Sequence, residues 1–514
     1  MRRAIALLAL PLSGCLVGPD YQRPPPASPP APEYKEAAPI SGIAAAFRPA
    51  DPRDNADRGR WWQVYGDPTL DRLAAQVNVS NQNLKFYEAN YRRARALIRQ
   101  DTAALFPTIT GTGGAAQTGT GGQRGASGTT TIVRSDSVQG QYTTGATFNW
   151  EIDVWGNLRR QIEADSATAQ ASDADLANAR LSAQADLATN YFGLRISDDR
   201  KRLYEATVAA YARSMQIARN QVDAGIVSRV DLAQAQTQYE QTRAQLVNEG
   251  INRALLEHAI ALLMGKAPSE VTIEPERTQV TVPRIEADVP SSLLERRPDI
   301  ASAERAMASA NAQIGVAMGA YYPQISLGAT IGFLSGGIGS LLQIANATWS
   351  VGPQLAGTFL DGGAVKAQVE GARANYDATV ASYRQTVLTA FQQVEDALAQ
   401  QRILVQQEQI QRAAVAAARE AERLSLNQYR VGTVPYTTVV QTQAAALAAE
   451  QTLLTIRLNR MVASINLVKA LGGGWRQEDL PAPTPIGGLK QGNPAPPAFP
   501  SPTVAVQKQW WKFW

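Results

Sequence analysis

Few side chains in this chain could do covalent chemistry, and they do not converge. His258 is the sole histidine and lies among Leu255, Leu256 and Ile260. A packed or surface imidazole fits that setting better than a general base or metal ligand. The adjacent acids Asp198-Asp199 and Glu395-Asp396 fall within helical patterns and are read as solvated polar faces, so general acid-base work lacks a pocket. No HExxH, GxSxG or Walker spacing occurs, and the glycines between Gly111 and Gly128 match no phosphate-binding loop, so that stretch is read as a loop. Catalytic residues and metal ligands are therefore expected to be absent, and with them any cofactor. Cys15, the only cysteine, can form no internal disulfide. Lys+Arg number 49 against Asp+Glu 45, without a dense basic cluster, which argues against nucleic acid as a partner.

Cys15 has another chemistry open to it. Arg2 and Arg3 precede an apolar run, Ala4 to Leu10, and Leu12-Ser13-Gly14 leads directly into the cysteine. The run is too short to span a membrane and reads as an export signal, residues 1–14. Its end resembles the lipobox of bacterial lipoproteins, which implies cleavage before Cys15 and a covalent lipid on it. Leu16, where an Asp would have suggested the inner membrane, favours the outer one. Pro24 to Pro39 reads as an extended tether, and 475–514 as a Pro-rich tail ending in Trp510-Trp511-Lys512-Phe513-Trp514.

The elements that would position any site are long and duplicated. Asn220-Gln221 through Gly225 and Val227 recurs as Asn427-Gln428, Gly432 and Val434, an offset of 207 positions that also relates Gln161-Ile162-Glu163 to Gln368-Val369-Glu370 and Met264-Gly265 to Leu471-Gly472. A constant offset over such a length is an internal duplication. Each glycine closes a helix in the left-handed conformation, and Pro435 suits the first turn of the next helix. Both stretches are thus turns of helical hairpins. Leu158 to Asp223 and Val365 to Arg430 each cover 66 positions, about 100 Å as helix. Shorter helices are expected at Arg229 to Met264, Ser291 to Ala320, Tyr436 to Ala470 and, as one piece, Asp67 to Leu105. Laid end to end in pairs, these match the long ones, which describes a rod of uniform height with irregular segments at its waist. Ala164, Ala167, Ala171, Ala174, Asn178, Leu181, Ala185, Ala188 and Phe192 step by three and four, a seam of small residues.

Elsewhere the period changes to two. Tyr142, Thr144, Ala146, Phe148, Trp150, Ile152 and Val154 alternate with polar or small residues, as do Ile325 to Phe333 and Trp349 to Phe359. With the extended Phe106 to Thr110 this makes four two-faced strands. Four cannot close a barrel in lipid, where open edges are not tolerated, so strands pooled between copies are expected.

These residues together resemble the TolC-like outer membrane efflux channels, in their NodT-type lipoprotein subgroup. The resemblance runs from Cys15 to Gly474. It rests on Cys15-Leu16-Val17-Gly18-Pro19-Asp20-Tyr21-Gln22-Arg23-Pro24, Trp61-Trp62, Asp67-Pro68-Thr69-Leu70, Asn81 to Leu84, Trp150-Glu151-Ile152-Asp153-Val154-Trp155-Gly156, Arg296-Arg297-Pro298-Asp299-Ile300 with Glu304, Phe359-Leu360-Asp361-Gly362-Gly363 and the two glycine turns. It implies a mainly α fold with a membrane β-barrel, in which a homotrimer forms twelve strands on a twelve-membered helical tunnel. It implies an outer-membrane exit duct, lipid-anchored and reaching into the periplasm of a Gram-negative bacterium. The partners it implies are a periplasmic membrane-fusion adaptor and an inner-membrane pump of the resistance-nodulation-division (RND) type. The expected organisation is a lipidated tether and equatorial segment at 15–66, a first repeat at 67–265, an equatorial linker at 266–290 and a second repeat at 291–474.

Under the resemblance, adaptor contact falls at the periplasmic tip: Gly225, Val227, Ser228, Gly432, Thr433, Val434 and Pro435. Relatives carry acids after the second turn where this chain has Val434, Thr438 and Gln441, so an acidic constriction does not carry over from that turn. The candidate constriction is Asp231, Thr438 and Gln441, with Asp223 nearby. Small organic solutes are the expected cargo, because the six methionines are scattered and metal export draws on Met or His clusters. Export of metal ions or of polypeptides, and a non-channel periplasmic rod, are the alternatives.

Overall fold

The computed structural model describes residues 16–26, 34–37, 60–120, 137–277, 282–283 and 297–473. Cys15, the export signal, part of the linker and the C-terminal tail lie outside them. Eleven principal elements are found among the described residues. They are α1 (Pro68–Ser80), α2 (Gln82–Ala103), β1 (Thr108–Thr120), β2 (Ser137–Glu151), α3 (Asn157–Asp223) and α4 (Arg229–Leu263). After the linker come α5 (Pro298–Gly319), β3 (Gln324–Ser335), β4 (Ala347–Ala356), α6 (Ala364–Arg430) and α7 (Tyr436–Ala470).

The helix expected from Asp67 to Leu105 is two helices. Its start is as expected: Asp67 accepts from the backbone N–H groups of Thr69 and Leu70 at 2.9 and 3.0 Å, with Pro68 in the first position. The break falls at Asn81, whose ψ of 120 leaves the helical region. Asn81 there caps α2 by accepting from Leu84 N–H, and its amide donates to Leu263 O at 2.7 Å. Ser80 Oγ donates to Met264 O at 2.5 Å. Carbonyls at the end of α4 have no partner within their own helix, and the broken chain supplies the missing donors.

Packing follows the seam read in the sequence. All its members are buried except Asn178. Along its first half α3 lies against α5, with Thr168 bonded to Ser309 and Gln161 to Gln313, and along its second half against α4, with Ser197 bonded to Glu249. At mid-height Trp61, Trp62 and Tyr65 pack with Leu70, Leu187, Phe192, Met461 and Ile465. Each such fully buried large side chain contributes about 1.5–3 kcal/mol. Arg297 in the Arg-Arg-Pro-Asp segment explains that motif: it holds Asp299, donates to Gln393 and caps α7 through Ala470 O at 3.1 Å.

Asp198 is not a solvated acid. It is buried, bonded to Arg195 at 3.3 Å and Arg253 at 2.8 Å, and accepts from the Glu276 N–H. It ties α3, α4 and the linker together, a role its neighbours in sequence do not reveal. Glu395 is likewise engaged, accepting the N–H groups of Lys35 and Glu36 at 2.8 and 2.9 Å.

That last contact belongs to an N-terminal strap. The N-terminal segment, expected to be an extended tether, is docked along the rod at Val17–Pro19, Tyr21, Arg23, Lys35 and Glu36. Arg160 donates to Val17 O and Gly18 O, Asn311 to Pro19 O, Tyr21 to Glu304 at 2.6 Å, and Arg23 to Tyr383. Gly18 lies so close to α5 that a Cβ on it would stand 2.5 Å from the Gly315 Cα. Backbone carbonyls and invading side chains, not a flexible coil, set its path.

Candidate functional site: the two-faced sheet and the hairpin tips

The four strands form one antiparallel sheet in the order β1-β2-β3-β4. Strand β1 reaches Thr120, so Gly111 to Thr120 is sheet and not loop. Glycine and threonine there hide the two-residue period, but the ladder to β2 runs unbroken from Thr108↔Asn149 to Thr120↔Ser137. Strand β2 stops at Glu151, because Asp153 turns back to accept the Leu158 and Arg159 N–H groups at the start of α3. Strand β4 stops at Ala356, so Phe359 lies beyond it.

Cross-strand partners project from the same side, which makes the faces legible from the register. One side carries Ile109, Phe148, Ala329 and Val351 in one row, and Ala146, Ile331 and Trp349 in another. Leu327 opposite Trp150 and Pro353, and Ile325 opposite Leu355, extend it. The other side carries Thr110, Thr147, Thr330 and Ser350, with Asn149, Ser326 and Gln354. Thr330 and Ser350 are bonded across it at 2.8 Å. Ile109, Ile331, Trp349, Val351 and Leu355 are all exposed in the single chain. An apolar sheet face of this size has no place in water. Aromatic side chains gather at its base: Trp155 stacks on Tyr322 at 4.8 Å and donates to Pro323 O, beside exposed Tyr321, Phe106 and Phe359. Rings of this kind mark a membrane–water boundary.

At the far end the two hairpins close as the duplication predicts. Gly225 and Gly432 have φ of 70 and 77. Ile226 N–H reaches Gln221 O at 2.8 Å and Thr433 N–H reaches Gln428 O at 3.0 Å. The same bond pattern, with φ of 65 and 85, closes α4 at Gly265 and α7 at Gly472. The two turns are not separate: Ala218, Ala235, Tyr429, Tyr436 and Val439 pack into one cluster. Tyr429 and Tyr436 meet edge to face at 5.0 Å. This aromatic pair has no counterpart in the first hairpin, where the same offset gives Val222 and Arg229, so the duplication could not point to it. Burial, reinforced by the nearby Asp231 charge, pushes the Tyr429 hydroxyl up to about 12.

Of the expected contact residues, Gly225, Ser228, Gly432, Thr433 and Pro435 are exposed, while Val227 and Val434 turn inward onto the cluster. Ser228 caps α4 by accepting from Val230 N–H at 3.1 Å. Exposed Ile226, Val230 and Val431 add an apolar rim that the motif reading did not single out. Asp231 is near enough for its charge to act on both tyrosine hydroxyls, Thr438 is half-buried on the first turn of α7, and Gln441 is exposed. His258 is exposed, and among the described residues no cluster of His, Cys, Asp or Glu could hold a metal ion.

Two carboxyls meet between α2 and α3: burial and a hydrogen bond from Asp101 raise Asp165 to about 6. A group raised in the folded state stabilises fully below its unfolded value, and that contribution disappears as the pH climbs through the folded value. Stability of wild type should therefore fall between pH 4 and pH 7 by about 1 kcal/mol, the half-exposed pair being screened by solvent. Asp101→Asn, whose amide donates to Asp165 at any pH, should flatten the dependence, read from melting temperature against pH. An unchanged slope would remove the pair as its source.

The chain as a whole has counterparts in known proteins. The family described as outer membrane efflux protein matches residues 73–266 and 289–473, most of the chain. The chain belongs to this family. It is 31% identical over 483 residues to the probable efflux pump outer membrane protein TtgC of Pseudomonas putida, covering 92% of this chain and 96% of that one. It is 28% identical over 473 residues to the cation efflux system protein CusC of Escherichia coli, with 91% and 98% covered. Among solved structures, the outer-membrane channel OprN superposes with a TM-score of 0.77 at 29% identity, over 90% of this chain and all of that chain. The open state of the Neisseria gonorrhoeae MtrE channel does so with 0.74 at 25%, over 90% and 99%. As a family member the protein is the outer-membrane channel of an efflux system in a Gram-negative bacterium. Its sheet is barrel wall and its helices are periplasmic tunnel. The outer membrane efflux proteins are channels rather than enzymes, in keeping with a site made of surfaces.

Proposed function

We propose that three copies of the chain close a twelve-stranded barrel over a common helical tunnel. Through it small organic solutes pass unchanged from an inner-membrane RND pump and its periplasmic adaptor to the exterior. The observation that carries this is the sheet: an apolar outer face and a polar inner one, with β1 and β4 left as open edges. Unpaired edge groups in hydrocarbon cost several kcal/mol each, so the edges must meet other copies. No described helix is long and apolar enough to cross a membrane. The joined tips, with their apolar rim of Ile226, Val230 and Val431, supply the adaptor surface, and Asp231, Thr438 and Gln441 the candidate constriction.

The cargo follows from relatives and from composition together. Two relatives at 31% identity are described as an antibiotic and a toluene efflux pump protein. The cation efflux relative is more distant, and the methionines here remain scattered. A lipid on Cys15 completes the anchor: Val17 N–H bonds to Trp155 O at 3.1 Å, which brings the chain to the aromatic base of the sheet two positions after the cysteine. Acyl chains attached so near that base have the bilayer within reach.

Mass measurement of the detergent-solubilised protein together with single-channel recording in planar bilayers tests the proposal. One pore per three chains is the expected result. A stable folded monomer, or a trimer that never conducts, would overturn it.

A further inference from the structure

Between α3, α6 and α7 lies a cavity of about 770 Å³. One part of it is lined by Arg202 and Arg457, committed to Asp199 and Glu408 respectively, and by Arg277. Its lower end differs in chemistry. Tyr211, Glu422, Gln443 and Glu450 line it, with Arg419 bonded to Glu450. Gln443 is 2% exposed. Its amide donates to Ser214 Oγ at 3.2 Å, but its buried carbonyl oxygen has no hydrogen-bond donor. The Tyr211 hydroxyl, equally buried beside Gln238, makes no hydrogen bond of good geometry. Among the described residues no cation is bonded to Glu422, although Arg419 is near enough to be felt.

We infer that this lower end is a binding site for a small organic cation, an ammonium or guanidinium group received by Glu422 and the Gln443 carbonyl. A buried acceptor without a donor costs about 1–3 kcal/mol, so the site gains by taking one in. The charge count selects the ligand. At this end Glu422 and Glu450 bring two negative charges and Arg419 on Glu450 cancels one. That leaves the Glu422 carboxyl as the acceptor no side chain pairs, with Arg277 the other lining charge without an ion pair among the described residues. Divalent metal ions draw on several carboxylates or on water-rich coordination. A monovalent N–H donor matches one free carboxylate, and Arg419 on Glu450 already shows how such a cation sits in this wall. The site lies within one chain, so it stands or falls independently of the trimer and of the exported cargo.

Calorimetric titration of the detergent-solubilised full-length protein with n-butylammonium and with methylguanidinium tests this. Saturable binding at one site per chain is expected. Glu422→Gln should weaken it at least tenfold and Gln443→Leu several-fold, while Glu420→Gln, two positions away on α6 and paired with Arg423, should leave it unchanged. Circular dichroism and melting temperature confirm that each variant is folded. Absence of saturation up to millimolar probe, equal binding by Glu422→Gln, or displacement of the amine by lower concentrations of Mg²⁺ would each overturn the assignment.

Discussion

Ile331→Arg is expected to keep the protein out of the membrane while its helices still fold. Ile331 stands between Ala146 on β2 and Trp349 on β4, in the middle of the apolar rows. A guanidinium facing lipid near the bilayer midplane costs about 2–4 kcal/mol. Three copies in one barrel multiply that penalty. Thr330→Arg, one position away, puts the same group on the polar side beside Thr147 and Ser350, where water can reach it. That variant should assemble and conduct, with a shift toward anions. Membrane fractionation and single-channel recording separate the two. Equal assembly of both variants would mean that the faces have been assigned the wrong way round or that the sheet does not meet lipid.

The second large effect contrasts two turns of identical geometry. Gly265 and Gly432 share a left-handed φ and the same hydrogen-bond pattern. Their surroundings differ. A Cβ on Gly265 would stand 2.0 Å from Ser80 O, against backbone at the junction of α1 and α2, whereas a Cβ on Gly432 meets nothing within 4 Å. Gly432→Val therefore costs only backbone strain, on the order of 1 kcal/mol or more, which a large assembly absorbs. It should assemble and conduct but fail to export, because the tip offered to the adaptor changes shape. Gly265→Ala cannot be accommodated without moving α1 off the end of α4, and should fail to give folded protein at all. Yield of detergent-stable assembly and dye accumulation in cells carrying the pump give the two readings. Normal export by Gly432→Val would detach the tip from function. Normal assembly of Gly265→Ala would show that the Ser80 junction yields.

What the chain shows before folding is what repeats or alternates. The hairpins were legible because Gly225 and Gly432 sit in matching words, and β2 to β4 because Phe148, Ile331 and Trp349 stand in a two-residue rhythm. Strand β1 was hidden for a physical reason: its apolar row is filled by Gly111, Gly113 and Ala115, which have too little side chain to show a period, so pairing alone holds it. The split at Asn81 was hidden because its cause is remote, the bare carbonyls of Leu263 and Met264. Asp198 looked like one of two surface acids because its decisive partner, Arg253, lies on another helix. At the tip, the exposed glycines were readable, but the Tyr429–Tyr436 pair that joins the hairpins breaks the duplication instead of following it.

The strap carries a consequence in time rather than in space. Tyr21 waits for Glu304, Arg23 for Tyr383, and the Lys35 N–H for Glu395, separations of 283, 360 and 360 residues. Contacts so far apart close late, after the loop between them has been drawn in. The residues that leave the ribosome first are thus among the last to find their place. Val17 and Gly18 can settle early on Trp155 and Arg160, but Tyr21, Arg23, Lys35 and Glu36 are held only once α5 and α6 exist. The closing of the strap therefore ties residues made early to a helix made late, and fastens the two halves of the chain to each other.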